Sequence, residues 1–280
     1  MNASEHTKNY TMIGNILHGE GFNLKENKKT RKGVNHPDPN EQFQHINDTA
    51  MEFAESNDPV ISVDAKKKEL VGNFKNNGEE WKSPDNVNEV NVYDILSNAE
   101  GKAIPYGVYD IKKKEGWVDI GIDGDTAEFA VESIRRWWYL MGKKRYPGAK
   151  KLMIAASGGG SNGSRIRLWK IELQKFADES HLDITVCHFP PGMSKWNKIE
   201  HRMFSYITIN WRGKPFRSYE TIIELIGNPR TNSELKISAE IGTGIYEAGK
   251  EISDEELEKL NMIRDQFHGN WNYTIASRTK

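Results

Sequence analysis

From residue 59 onward, short apolar runs alternate with amphipathic stretches. Pro59-Val-Ile-Ser-Val-Asp64 is an apolar run that ends in an acid. Tyr106–Ile111 and Trp117–Ile122 predict two strands of a hairpin, joined by the lysine-rich stretch Lys112–Gly116. Asp125-Thr-Ala-Glu128 reads as a capping box with Asp125 as the cap. It opens a helix bearing Phe129, Val131, Ile134, Trp137 and Trp138. Lys151–Ala156 predicts a buried strand, and Asn162 is expected to cap a helix over Ser164–Ala177, with Ile166, Trp169, Leu173 and Phe176 inward. Asp183–Phe189 predicts a further strand, and Ser194 is expected to start a helix that runs through Ile207.

The resulting order is strand, strand, strand, helix, strand, helix, strand, helix. It matches a ribonuclease-H-like α/β architecture, a mixed sheet flanked by helices. Ahead of it, Tyr10, Ile13, Ile16 and Leu17 predict a short amphipathic helix over Thr7–Leu17, stopped by Gly19 and Gly21. A basic strap follows, with Lys25, Lys28, Lys29, Arg31 and Lys32. This resembles the last helix of a helix-turn-helix, but too few residues precede it for the full motif. Pro37 and Pro39 mark a linker, and Glu41–Glu55 predicts a helix. The expected domains are 1–56 (truncated DNA-binding helix, strap and linker helix), 57–212 (catalytic domain) and 213–280 (a small C-terminal extension).

Composition narrows the class. The 280 residues are 36% hydrophobic and 28% charged, with 8 Trp, a globular mix. No apolar run approaches the roughly 18 residues of a membrane helix, and no secretory h-region opens the chain. One cysteine excludes a disulfide scaffold, so a cytoplasmic protein without membrane partners is expected. The net charge is −1, but residues 151–220 hold 11 Lys/Arg against 6 Asp/Glu. That excess suits either a polyanion-binding face or a merely soluble one. Residues 247–266 are acidic, and Ser253-Asp-Glu-Glu256 reads as a capped helix start.

Several motifs compete for a function. Gly158-Gly-Gly-Ser-Asn-Gly163 formally fits the dinucleotide fingerprint G-x-G-x-x-G. A nicotinamide-dependent oxidoreductase would need an acid at the end of the next strand, and that strand ends Cys187-His188-Phe189. Cys187 and His188 point to opposite faces of a strand, so they do not form a dyad, and Cys187 reads as a core residue. Asp64 and Glu200 stand out more. An acid closing a buried strand is costly unless something binds it. Glu200 lies among Lys195, Lys198, His201 and Arg202, where either a salt-bridge role or a metal role fits.

Longer stretches carry a family resemblance. They are Ser62–Phe74, Ile104–Asp110, Gly121–Phe129, Gly158–Arg165, Asn210–Gly213, Phe267–Thr274 and above all His188-Phe-Pro-Pro-Gly-Met-Ser-Lys-Trp-Asn-Lys-Ile-Glu-His201. Together they resemble bacterial insertion-sequence transposases of the Rhodopirellula-type DDE family, from about residue 6 to the C-terminus. The resemblance implies strand cleavage and strand transfer by two Mg²⁺ or Mn²⁺ ions held by Asp, Asp and Glu. Asp64 matches the first acid and Glu200 the last. The second acid of the family pattern is Ser157 here.

A serine hydroxyl is neutral and donates as well as accepts, so it does not bridge two cations as a carboxylate does. Asp123 and Asp125 are expected to lie two strands from Asp64, roughly 10 Å, too far to share a metal pair. The implied partners are DNA, both transposon ends and target, on which a homo-oligomer would assemble. Lys28, Lys29, Arg31, Arg165, Lys195, Lys198 and Arg202 are the expected nucleic-acid contacts, the last three near the metals. Trp196 could stack on a base, but its spacing with Ile199 and Met203 predicts core packing. The expectation is a shortened, catalytically impaired transposase; the alternative is a non-catalytic DNA-binding remnant or regulator.

Overall fold

A computed structural model describes residues 38–83, 88–93, 95, 97, 99–193, 196–227 and 235–279. The expected Thr7–Leu17 helix and Lys28, Lys29, Arg31, Ser194 and Lys195 lie outside the described residues. The chain divides into two compact units, 1–35 and 36–280, and all the described residues belong to the second.

The predicted apolar runs become strands. They are β1 (Val60–Ala65), β3 (Gly101–Asp110), β4 (Glu115–Gly121), β5 (Lys151–Ala156) and β6 (Asp183–His188). Sequence periodicity missed β2 (Glu69–Val71), β7 (Lys236–Gly242), β8 (Met262–Arg264) and β9 (Asn272–Ile275). The sheet order is β7-β4-β3-β1-β5-β6-β9-β8, with β2 paired to β3 off that path. β1, β5 and β6 are mutually parallel, and β3 runs antiparallel to both β1 and β4. This antiparallel hairpin beside a parallel trio, with helices on both faces, is a ribonuclease-H-like fold. The expected extension 213–280 supplies β7, β8 and β9 to the same sheet.

Period-2 alternation sorts the side chains of β1 and β5 between two layers. Ile61, Val63, Leu152, Ile154 and Ala156 face α2 (Ala127–Trp137) and α3 (Arg167–Ser180) in one core. On the other face, Val60, Met153, Ala155, Cys187 and Phe189 pack with Ile46 and Phe53 of α1 (Pro39–Glu55). Beside them, Tyr109, Val118 and Ile120 lie under a helix that opens at residue 198 and ends as α4 (Ser205–Trp211), and under α5 (Tyr219–Gly227). Gly107 lets that helix sit close: a Cβ there would lie 2.6 Å from both Met203 and Phe204.

Two expected caps move. The cap of α2 is Thr126, whose side chain accepts from the Phe129 N–H at 3.2 Å; Asp125 lies one residue too early to reach that amide. Asn162 does not cap α3. It sits in the 3-10 turn Gly160–Asn162, and α3 begins only at Arg167. The capping box of α6 (Asp254–Glu258) is made by Ser253 and Glu256, as its sequence predicts.

The first and last of these elements are tied directly. Gln42 on α1 is fully buried and donates to the Asn272 Oδ1 on β9 at 2.8 Å and to the His188 carbonyl at 2.9 Å. Asn272 donates back to Gln42 Oε1 at 2.8 Å.

Candidate active site

The carboxyl ends of β1, β5 and β6 gather the candidate chemistry. Asp64 is the fifth residue of β1 and faces the same side as Ser62, two residues earlier. Ser157 directly follows β5 and is buried beside it. The Ser157 hydroxyl donates to Asp64 Oδ2, and the Ala65 N–H donates to Asp64 Oδ1 at 2.9 Å. Glu200 opens a π-helical turn, Glu200–Phe204, in the helix above. Such a turn inserts a residue into an α-helix and re-aims its side chains.

The two carboxylates feel each other. Burial pushes the Asp64 pKa from 3.8 up to about 6; the Glu200 charge adds to the rise, and hydrogen bonds from Ser157, Ala65 and Asn197 oppose it. Burial also raises Glu200, and the Lys66 charge, with His201 beside it, opposes the rise. Lys66 is lowered by burial, and Glu69 and Glu200 partly restore it. Its ammonium donates to Thr208 Oγ1 at 2.8 Å and lies 5.2 Å from the centre of the Trp211 ring.

A latch that sequence reading missed holds Glu200 in register. Asn197 and Ser62 are both fully buried. Ser62 Oγ donates to Asn197 Oδ1 and accepts the Ile199 N–H at 2.9 Å. Asn197 Nδ2 donates to the Val63 carbonyl at 2.9 Å. The strand of Asp64 and the helix of Glu200 are thereby joined through neighbouring residues. The available signal was Ser62, a polar residue in an apolar run on the face of Asp64.

A second buried network braces Ser157. His188 is fully buried, with Nδ1 3.2 Å from the Ser157 carbonyl and Nε2 3.0 Å from the Tyr273 hydroxyl. A carbonyl only accepts, so Nδ1 carries the proton and Nε2 accepts from Tyr273. Tyr273 in turn accepts from the Trp169 indole at 3.0 Å. Burial lowers the His188 pKa to about 4, which keeps the ring neutral. Burial likewise pushes the neighbouring Cys187 thiol up to about 12, as befits a core residue.

The Gly-rich loop after Ser157 has a steric explanation. A Cβ on Gly158 would lie 2.4 Å from the Phe189 carbonyl, so only glycine fits. Asn162 folds back and donates to the Ser157 carbonyl at 3.3 Å.

The remaining expected residues scatter. Arg165 is exposed in the turn before α3. Lys198 and Arg202 are exposed and line a groove with Tyr109 and Tyr206. They lie two residues either side of Glu200, and residues two apart on a helix face different ways. Trp196 is 45% exposed, which corrects its expected place in the core. It precedes the helix, so helical spacing does not carry it inward; its ring meets Phe43 edge-on at 5.2 Å. Asp123 accepts from the Tyr246 N–H at 2.9 Å, and β4 lies two strands from β1. Among the described residues, no group of three or more His, Cys, Asp or Glu is placed to hold a metal ion. Asp64 and Glu200 are two carboxylates within electrostatic reach of each other at this end of the sheet, of the hard oxygen-donor type that suits Mg²⁺ or Mn²⁺.

A family model described as the Rhodopirellula transposase DDE domain matches residues 1–277. Among solved structures, the chain is similar to the Mos1 transposase paired-end complex with left transposon end. The identity is 11% and the TM-score 0.46, over 76% of this chain and 60% of that one. It is also similar to the Mos1 strand transfer complex, with 10% identity and TM-score 0.45 over 76% and 60% of the two chains. A Mos1 mariner paired-end complex with Mn gives 10% identity and TM-score 0.44 over 76% and 61%. The chain thus spans about 60% of the length of these solved proteins. No curated protein matches it.

Proposed function

Because the chain belongs to the Rhodopirellula-type DDE transposase family, we propose that it acts on DNA through a centre formed by Asp64, Ser157 and Glu200 and is impaired in strand cleavage and transfer. One observation carries this reading: the Ser157 hydroxyl stands at the second acid's position and donates to Asp64. A carboxylate at 157 would offer lone pairs to cations on both sides. The hydroxyl brings no charge and occupies an Asp64 oxygen with its proton. Removing one negative charge from a dication cage weakens it strongly.

When bound, a divalent cation supplies the charge that polarises a phosphodiester. The protein's own part is to keep Asp64 and Glu200 ionised and aligned. The Ser62–Asn197 latch aligns them. The raised pKa of Asp64 sets the pH below which its carboxyl takes up a proton. Lys66 offsets part of the Glu200 charge. Transposon ends and target DNA are the substrates in this reading, with a homo-oligomer assembled on them. The same hydroxyl favours a second reading, a DNA-binding regulator without cleavage.

A calorimetric Mn²⁺ titration beside the Ser157→Asp variant tests the assignment. The variant is expected to bind two ions, and the natural protein one weakly or none. Equal binding of two ions by both proteins would overturn the assignment. Metal-dependent nicking by the natural protein would refute the regulator reading.

A further inference from the structure

Ser62, Asp64 and Lys66 alternate along β1 and its continuation, where the Lys66 N–H still donates to the Pro105 carbonyl of β3 at 2.8 Å. Residues two apart on a strand share a face. The outer two of these three both bind the helix of Glu200. Ser62 meets it at Asn197 and Ile199. Lys66 meets it at Thr208, 2.8 Å from Nζ to Oγ1. Four strand steps span about 13 Å, and nine helical steps from Ile199 to Thr208 rise about 13 Å. The two attachments are therefore in step, one on each side of Asp64 along the strand and of the π-helical turn Glu200–Phe204 along the helix.

A π-turn takes the helix out of its ordinary bonding. The Ser205 N–H reaches back five residues to the Glu200 carbonyl, not four to that of His201. The Ser205 hydroxyl donates to the His201 carbonyl instead, at 2.8 Å. One turn on, the Thr208 hydroxyl donates to the Phe204 carbonyl at 2.7 Å and accepts from the Lys66 ammonium. Lys66 thus reaches, through one hydroxyl, the last carbonyl of the turn. Its Nζ also lies 5.9 Å from the centre of the Phe204 ring and 5.2 Å from that of Trp211, and attraction to the two rings favours that place.

Resting on the Asp64–Glu200 reading above, we infer that Lys66 and Thr208 are positioning residues for Glu200: a tie that, with the Ser62–Asn197 latch, fixes the π-turn at both ends and so sets the direction of the Glu200 carboxylate. The competing role for Lys66 is a plain counter-charge, since its charge reaches Glu200. The two roles predict opposite signs. A counter-charge repels a cation, so its loss would tighten metal binding. Loss of a tie loosens it, because the carboxylate is no longer held in place.

The test is Mn²⁺ calorimetry on the full-length Ser157→Asp protein, alone and with Thr208→Val, Thr208→Ser or Lys66→Met. Thr208→Val leaves every charge in place, and the position is exposed, so the fold is expected to persist; circular dichroism checks it. Thr208→Val is expected to weaken Mn²⁺ binding about tenfold, the size of effect seen when a group that orients a metal ligand is removed. Thr208→Ser, which keeps the hydroxyl, is expected to restore it. Lys66→Met is expected to weaken binding too, although a positive charge has left. Unchanged affinity in Thr208→Val, or tighter binding in Lys66→Met, overturns this inference while leaving the Asp64–Glu200 reading intact. A Ser157→Asp protein that binds no Mn²⁺ removes both.

Discussion

Replacing Asp64 by Asn should stabilise the metal-free protein, and more so as pH rises. In an unfolded chain this carboxyl titrates near 3.8; in the fold, burial first and the Glu200 charge next carry it to about 6. Above about pH 6 both states are ionised, and the fold bears the full cost of a poorly hydrated charge. The difference of about 2.2 corresponds, at about 1.36 kcal/mol per pH unit, to roughly 3 kcal/mol. As pH falls from 6 toward 3.8, the folded state takes up its proton first and the cost is relieved. Below 3.8 both states are protonated and the cost is gone. Asparagine carries no charge, keeps its one oxygen for the Ala65 N–H and can donate from its amide to the Ser157 hydroxyl, which accepts as well as donates. The gain over the natural protein is therefore expected near 3 kcal/mol at pH 8, roughly half of that at pH 5, and close to a small constant at pH 3.5. Urea unfolding with a chelator present reads it directly, because every other carboxyl is common to both proteins. A stability difference that does not change with pH would refute the idea that Asp64 is strained by its own charge.

Two further substitutions probe the frame around the site. Thr126→Ala should cost about 1 kcal/mol through the lost cap of α2, while Asp125→Ala leaves that cap intact; equal losses in thermal unfolding would return the cap to Asp125. Asn197→Ala should cost about 2–3 kcal/mol, because the Val63 carbonyl loses a buried donor and Ser62 loses its acceptor. In the Ser157→Asp background the same change should also weaken Mn²⁺ binding, whereas a purely structural Asn197 would leave the affinity unchanged.

The central strands and the two acids could be read from the sequence because their signals are local. Apolar runs over 60–63 and 151–156 mark strands buried on both faces, and an acid closing such a run stands out by its cost. The added strands gave no such signal. Met262–Arg264 and Glu69–Val71 are three residues long and become strands only by pairing with β9 and β3. Pro105 and Lys102 hid the first half of β3, which tolerates them because its length is set by β2 and β4. The convergence of Asp64, Ser157 and Glu200 rests on strand order, which no local pattern encodes. The role of Asn197 was hidden because its partner lies 135 residues away.

The Gln42–Asn272 pair has a consequence for how the chain is made. It joins α1 to β9 across 230 residues, and β9 in turn supplies the hydroxyl that braces His188 and, through it, Ser157. During synthesis, β1, β5 and β6 leave the ribosome long before their last neighbour exists. The edge of β6 that β9 will cover must wait unpaired, a template for pairing with other chains. Closing contacts so distant in sequence is also slow, since loop entropy is lost before any bond compensates. The nascent protein therefore depends on β9 to cover the edge of β6, and a chain cut short before residue 272 would leave that edge open and prone to aggregation.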